Sequence, residues 1–251
     1  MIVLAHVSDT HLDGSKRNAD RATRVMSYLN DLPRPVDAVL VTGDVADHGL
    51  PAEYEEARKI LSSPHPLYTC PGNHDARRAY REVLLGVDCG TDGGDEPVNE
   101  VHRVAGAVVA LCDSSIPGRN DGLLADETIA WLDDVLAGAP TDAPVFIGFH
   151  HPPTILHSAF LDPIRQHGSD RLAELVRRHP QVVAVLCGHA HTPAATTFAG
   201  RPLLVAPGVV STLKLPWEPG GDAFDLDLPP AIAFHVLDDD WRLTTHYRVI
   251  V

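Results

Sequence analysis

This chain is short of positive charge. Its 251 residues carry 20 Lys+Arg against 34 Asp+Glu, a formal charge of 20 − 34 = −14. Extended DNA or RNA binding rests on a basic surface, so an extended nucleic-acid partner is not expected. A small phosphate substrate stays open, because bound cations reverse the local charge. Cysteine is also scarce. Cys70, Cys89, Cys112 and Cys187 form no C-x-x-C pair, and a chain of this size needs no disulfide framework. Both points suit a reduced, cytoplasmic protein. No apolar run approaches the ~18 residues of a membrane helix, so no membrane partner is expected. Residues Met1–Val7 lack a basic region and a cleavage site. They read as a first strand and not as a signal peptide. Two motifs are missing as well: H-E-x-x-H, which excludes a zincin protease, and G-x-x-x-x-G-K-[ST], which counts against a P-loop nucleotide hydrolase.

What is present alternates strand and helix. Residues 2–7, 37–42 and 66–70 are β-type runs, and Ala22, Val25, Met26 and Leu29 give residues 20–31 a helical apolar face. Pro51 opens a helix running to about Leu61. Val101–Val104 and Ala107–Cys112 flank Ala105-Gly106 as a hairpin, and Ile129, Leu132, Val135 and Leu136 mark another helix. Val145–Phe149 and Val182–Cys187 are further strands, separated by a helix that Ser169 is placed to cap. The last quarter is β-rich, with a turn at Gly200, then Ala231–Val236 and Arg242–Ile250 around Asp238-Asp239-Asp240. Such a chain predicts mixed sheets covered by helices on their outer faces. Two stretches lack periodicity, 86–99 and 216–230. They read as surface loops, with a sharper alternative in which one overhangs an active site or meets a second subunit.

Five of the strand runs end in polar clusters. These are Asp9-Thr10-His11, Gly43-Asp44-Val45-Ala46-Asp47, Gly72-Asn73-His74-Asp75, His150-His151-Pro152-Pro153 and Gly188-His189-Ala190-His191. Ligands of open α/β sheets bind beyond the carboxyl ends of the strands. On extended backbone, positions i and i+2 point the same way, so Asp9 with His11, and His189 with His191, would each present two side chains to one space. Gly43, Gly72 and Gly188 stand where the chain must bend sharply or pass close to another group. Imidazole, carboxylate and amide without thiolate suit Mn, Fe, Zn or Co.

The order D-x-H, G-D-x-x-D, G-N-H-D, H, G-H-x-H resembles the calcineurin-like metallophosphoesterase superfamily, and within it the class III cyclic-nucleotide phosphodiesterases. The motifs span residues 9 to 191. Leu111–Gly118, Trp131-Leu132 and Leu228-Pro229-Pro230 are similar too. The resemblance implies an α/β fold in four layers, α/β/β/α, with two mixed sheets. It implies one metallophosphoesterase domain over 1–251, with the β-rich portion from about 200 belonging to it. Asp9, His11 and His191 would hold one divalent metal and Asn73, His150 and His189 a second, with Asp44 between them. His74, held by Asp75, would face the substrate as the catalytic acid. Asp47, Arg77 and His151 are candidates for supporting the ligands or meeting the substrate. The implied activity is hydrolysis of phosphodiester bonds by a metal-bridging hydroxide, with 3′,5′-cyclic nucleotides as first substrates. Glycerophosphodiesters, phosphomonoesters or phosphoproteins, and a non-catalytic scaffold of the same fold, stand as alternatives. The partner is then a small phosphate ester, and a homodimer is common among similar proteins.

Overall fold

The computed structural model describes residues 1–91 and 93–251; Asp92, inside the 86–99 loop, lies outside the described residues. In chain order the first elements are β1 (Ile2–Val7), α1 (Lys16–Asn30), β2 (Ala38–Thr42), α2 (Pro51–Ile60), β3 (Leu67–Cys70) and α3 (Arg77–Ala79). Then come β4 (Glu100–Val104), β5 (Ala107–Leu111), β6 (Gly122–Leu123), α4 (Asp126–Gly138), β7 (Val145–Gly148), β8 (Gln166–His167) and α5 (Asp170–Arg178). The rest are β9 (Val182–Cys187), β10 (Ala194–Phe198), β11 (Arg201–Val205), β12 (Thr212–Leu213), β13 (Phe224–Asp225), β14 (Ala231–Leu237) and β15 (Leu243–Val249).

Two mixed sheets carry the fold. One has the order β15-β14-β1-β2-β3 and the other β10-β11-β9-β7-β5-β4. In the first, β1, β2 and β3 run parallel and the antiparallel β14–β15 hairpin joins beside β1; in the second, β11, β9, β7 and β5 run parallel, with β10 and β4 as antiparallel edges. Strand alternation sorts the side chains. Leu4 and Leu40 of the first sheet meet Val109, Leu111, Phe146 and Leu186 of the second in a buried cluster between the sheets. The opposite faces of β1 and β2, with Ala5, Val7, Val39 and Val41, pack on Val25, Met26 and Leu29 of α1 and on Tyr54 of α2. On the far side, Val108, Ala110 and Val185 pack on Leu132 and Leu136 of α4 and Leu172 and Val176 of α5. The cores therefore stack helix, sheet, sheet, helix. No helix among the described residues is long and apolar enough to cross a membrane.

The expected elements are present with adjusted ends. Helix α1 begins four residues before the predicted start, because Ser15 Oγ accepts the Asn18 amide as its cap. The turn it adds, Lys16–Ala19, is polar and carries no apolar period. Ser169 stands at the N-cap of α5 as expected, but its side chain makes no cap hydrogen bond. Its hydroxyl turns back to the Gln166 carbonyl instead.

Candidate metal centre

The parallel strands β1, β2, β3, β7 and β9 all end at one rim, and their five polar clusters converge there. The backbone beyond the strands is not extended, which corrects the i, i+2 geometry anticipated for the paired ligands. Among the described residues nine non-glycine positions have positive φ, and five of these are Asp9 (57°), His11 (37°), Asp44 (49°), His189 (65°) and His191 (52°). Left-handed backbone costs an ordinary side chain of order 1–3 kcal/mol and survives where the surroundings over-determine it. Here it turns each chain sharply and lowers the side chain into a shared space. Two glycines make the convergence possible. A Cβ on Gly72 would lie 2.2 Å from Asp44 Oδ1, and one on Gly188 would lie 1.8 Å from Ser8 Oγ.

Asp44 occupies the middle. Its Oδ2 lies 3.5 Å from His11 Nε2 and 3.2 Å from His150 Nε2, while Oδ1 accepts the His74 amide at 2.9 Å. Asp9 Oδ1 lies 3.4 Å from His191 Nε2, 3.9 Å from His11 Nε2 and 3.9 Å from His150 Nε2. The outer ring nitrogens are tied down. His11 Nδ1 pairs with Asp47 Oδ1 at 2.8 Å, His150 Nδ1 donates to the Thr42 carbonyl at 2.7 Å, and His191 Nδ1 meets Ser211 Oγ at 2.7 Å. Such partners fix the rings and aim Nε2 inward.

Charge in this buried cluster is divided. Burial opposes a proton on His150, but Asp44 and Asp9 outweigh it and raise the ring to about 9. Burial likewise opposes charge on Asp44, yet His150, His11 and His74 hold it well below the usual carboxylate range. His189 and His191 are pushed down to about 3 and about 4, chiefly by burial, with neighbouring histidines adding to it. They are neutral and offer lone pairs.

The donor set fits divalent cations. His11 Nε2 and His191 Nε2 face each other at 3.2 Å, and His189 Nδ1 faces His150 Nε2 at 3.2 Å. Asp9 Oδ1 and His189 Nε2 are buried without a hydrogen-bond partner. Buried polar atoms are normally satisfied, so the neutral rings of His189 and His191 beside an unpaired carboxylate oxygen suit a cation among them. Among the described residues four groupings lie within reach of a single ion: Asp9, His11 and His191; Asp9, Asp44 and His150; His11, Asp44 and His74; and His150, His151 and His189. Asn73 joins from β3: its Oδ1 meets His151 Nε2 at 3.1 Å.

The other expected residues divide. His74 lines the cavity, with Nδ1 donating to the Asp47 carbonyl at 2.7 Å. Asp75 does not hold it, contrary to expectation. The Asp75 carboxylate folds under the loop, accepting the Val45, Ala46 and Gly72 amides and the Tyr54 hydroxyl. Three loop amides would otherwise be buried without an acceptor, and that demand wins. Burial and the nearby Asp44 carboxylate raise Asp75 to about 6. Asp47 is the residue that braces both His11 and His74. His151 is buried behind Asn73, with Nδ1 on Ser114 Oγ at 2.8 Å. Arg77 is spent on the fold: Nε binds Asp113 Oδ2 at 2.8 Å, and its other nitrogens bind the carbonyls of Asp95 and Ser115.

A cavity of about 900 Å³ opens above the cluster. Its outer wall includes Phe160, Asn120, Lys214 and residues 222–227, so the 216–230 stretch does reach over the site. Sequence reasoning missed what fixes it there. Arg17 and Arg21, one turn apart on α1, bind the carbonyls of Val210 and Leu226, and of Val209 and Leu228. Two arginines at i, i+4 on an otherwise solvated face were the available signal. By contrast, the 86–99 loop is stitched by Arg78 and Arg81 to carbonyls of Gly90, Gly94, Glu96 and Pro97, and none of its described residues lines the cavity.

The profile of the calcineurin-like phosphoesterases matches residues 2–193. The chain belongs to that family. A glycerophosphodiester phosphodiesterase, GpdQ, from Enterobacter lignolyticus is 34% identical over 98% of this phosphoesterase and 91% of its own length. A protein named as a probable cyclic nucleotide phosphodiesterase, from Rhodococcus erythropolis, is 35% identical over 87% and 74%. Among solved structures, a dimetal phosphatase from Danio rerio superposes with a TM-score of 0.73 at 17% identity, covering 100% of this phosphoesterase and 96% of that chain. At that identity the likeness speaks for the fold.

Proposed function

We propose that this phosphoesterase hydrolyses phosphodiester bonds at a dinuclear centre, with 3′,5′-cyclic nucleotides as its substrates. Asp9, His11 and His191 would hold one ion, Asn73, His150 and His189 the other, and Asp44 both; Mn, Fe, Zn or Co suit these donors. Two such ions, when bound, supply an activated water nucleophile near neutral pH and offset charge on the phosphoryl group. The observation that carries the reading is Asp44 Oδ2, shared between His11 Nε2 at 3.5 Å and His150 Nε2 at 3.2 Å. His74 stands at the cavity floor. With Nδ1 anchored on the Asp47 carbonyl, its Nε2 is free to pass a proton to the leaving alkoxide, a role worth typically ~10²–10⁴-fold. Asp75 serves by shaping the loop that presents Asn73 and His74.

Glycerophosphodiesters are the second reading, favoured by the 34% identical relative of that name. Four free cysteines support a cytoplasmic protein. The closing strands β14 and β15 complete the first sheet, which supports one domain over 1–251. A homodimer would be compatible with this arrangement. An assay panel with added Mn²⁺ tests the activity, comparing cyclic AMP, cyclic GMP, 2′,3′-cyclic nucleotides, a glycerophosphodiester and a monoester. The cyclic 3′,5′-diesters should be turned over best. A monoester preferred by a wide margin would refute the reading.

A further inference from the structure

The metal floor accounts for the phosphate of a diester and leaves the outer cavity wall unexplained. That wall has an aromatic edge. The Phe224 ring lies 5.2 Å from the His191 ring at 66°, and the Phe160 ring lies 5.4 Å from Phe224 at 89°. His191, Phe224 and Phe160 thus step outward from a candidate metal ligand to the cavity mouth, all three lining the same space. Phe160 is 50% exposed, although its neighbour Leu161 is buried at 4%. One residue anchors while the other is presented.

The two rings arrive from different segments and both are held. Phe224 sits on the β12–β13 ribbon opposite Leu213 and packs at the margin of the outer sheet–helix core. Arg17 ties the Leu226 carbonyl just beyond it to α1. Phe160 precedes Leu161, whose amide is bound by Ser158 Oγ. Rings at 89° make a corner in which a flat aromatic group can lie on one and meet the other edge-on, the arrangements that aromatic pairs favour. Lys214 and Asp222 line the same cavity and put a cation and an anion in its wall. A glycerol or ethanolamine arm would have nothing to stack there.

We propose that Phe160 and Phe224 form a base platform that makes this enzyme select phosphodiesters bearing a nucleobase over aliphatic ones. This rests on the phosphodiesterase reading above. Stacking of a base on an aromatic side chain is worth a factor of about 5 to 150 by truncation.

The test uses the full-length, Mn²⁺-loaded protein and two ratios. The first is kcat/KM for cyclic AMP over that for glycerophosphoethanolamine. The second, independent of turnover, is the affinity for 5′-AMP over that for ribose 5-phosphate by calorimetry. Phe160→Ala should lower both ratios by about 5- to 150-fold, Phe160→Tyr should restore them, and Phe224→Ala should act in the same direction. Phe160 is the decisive position, since an exposed ring can be removed without loss of folding. Unchanged ratios in Phe160→Ala would overturn the platform, as would a wild-type enzyme that prefers glycerophosphoethanolamine. Should neither diester be cleaved, the phosphodiesterase reading fails by itself. The 5′-AMP ratio then still decides the platform, for it if the ratio depends on Phe160 and against it if not.

Discussion

Asp44 carries more of the site than any other side chain. Its carboxylate faces His11 and His150 and accepts the His74 amide. Asp44→Ala should therefore lose both ions, measured as metal per chain after dialysis against Mn²⁺, whereas His74→Ala should keep them and lose about 10²–10⁴-fold in kcat. Two ions retained in Asp44→Ala would remove its bridging role, and full turnover in His74→Ala would remove the acid. Part of this was legible in the motifs: Asp9, His11 and His191 lie together, as do Asp9, Asp44 and His150, while Asn73 meets His151. The supports were less so. Asp75 stands beside His74 in sequence yet serves three amides and a tyrosine, because adjacent side chains on a turn diverge and unsatisfied backbone is costly when buried. Asp47, three residues past Asp44, braces the two histidines. Arg77 goes to Asp113, a partner 36 positions away that no local pattern announces.

At the scale of elements, the site depends on strand ends that turn left-handed at once. The strands themselves could be read from apolar runs, since β-branched stretches bounded by polar clusters have few other uses. The turns could be read only as far as their glycines. Gly188 is the strictest, because a methyl group there would reach 1.8 Å from Ser8 Oγ and 2.7 Å from the Thr42 carbonyl. Gly188→Ala should destabilise the protein by about 1–3 kcal/mol and lower metal affinity, as Thr42 also receives His150. Urea unfolding with a parallel Mn²⁺ titration measures both; wild-type values in each would show that the β9 turn has room to spare. The loop over the cavity was harder to read. Its composition says coil, and the two arginines that hold its Leu226 and Leu228 carbonyls lie 209 and 207 residues earlier.

For the whole molecule, acid should weaken the seam between the sheets. His6 of β1 and His235 of β14 are buried on the inter-sheet side, ring to ring at 3.0 Å, with Thr42 and Thr245 hydroxyls at the two ends. Burial lowers His6 far below its ordinary value and takes His235 down to about 3. Below about pH 6.5 the unfolded chain therefore binds protons that the folded chain refuses. Stability then falls as pH drops from about 6.5 toward 3, by up to about 1.4 kcal/mol per pH unit for each histidine. Replacing one, as in His235→Gln, should make urea-measured stability fall less steeply across that range, and an unchanged slope would exclude the pair as the cause. Family likeness implied the fold, while alternation alone indicated mixed sheets with outer helices. Which strand faces which partner across the seam depends on contacts between residues hundreds of positions apart, and periodicity carries no record of them.

The claim on which the rest depends is that Asp9, His11, Asp44, Asn73, His150, His189 and His191 together enclose two cations. Anomalous diffraction from crystals grown with Mn²⁺ addresses it directly. Two peaks per chain should appear among these seven side chains, with Asp44 touching both. A single peak, or peaks elsewhere with these side chains unliganded, would contradict the dinuclear centre.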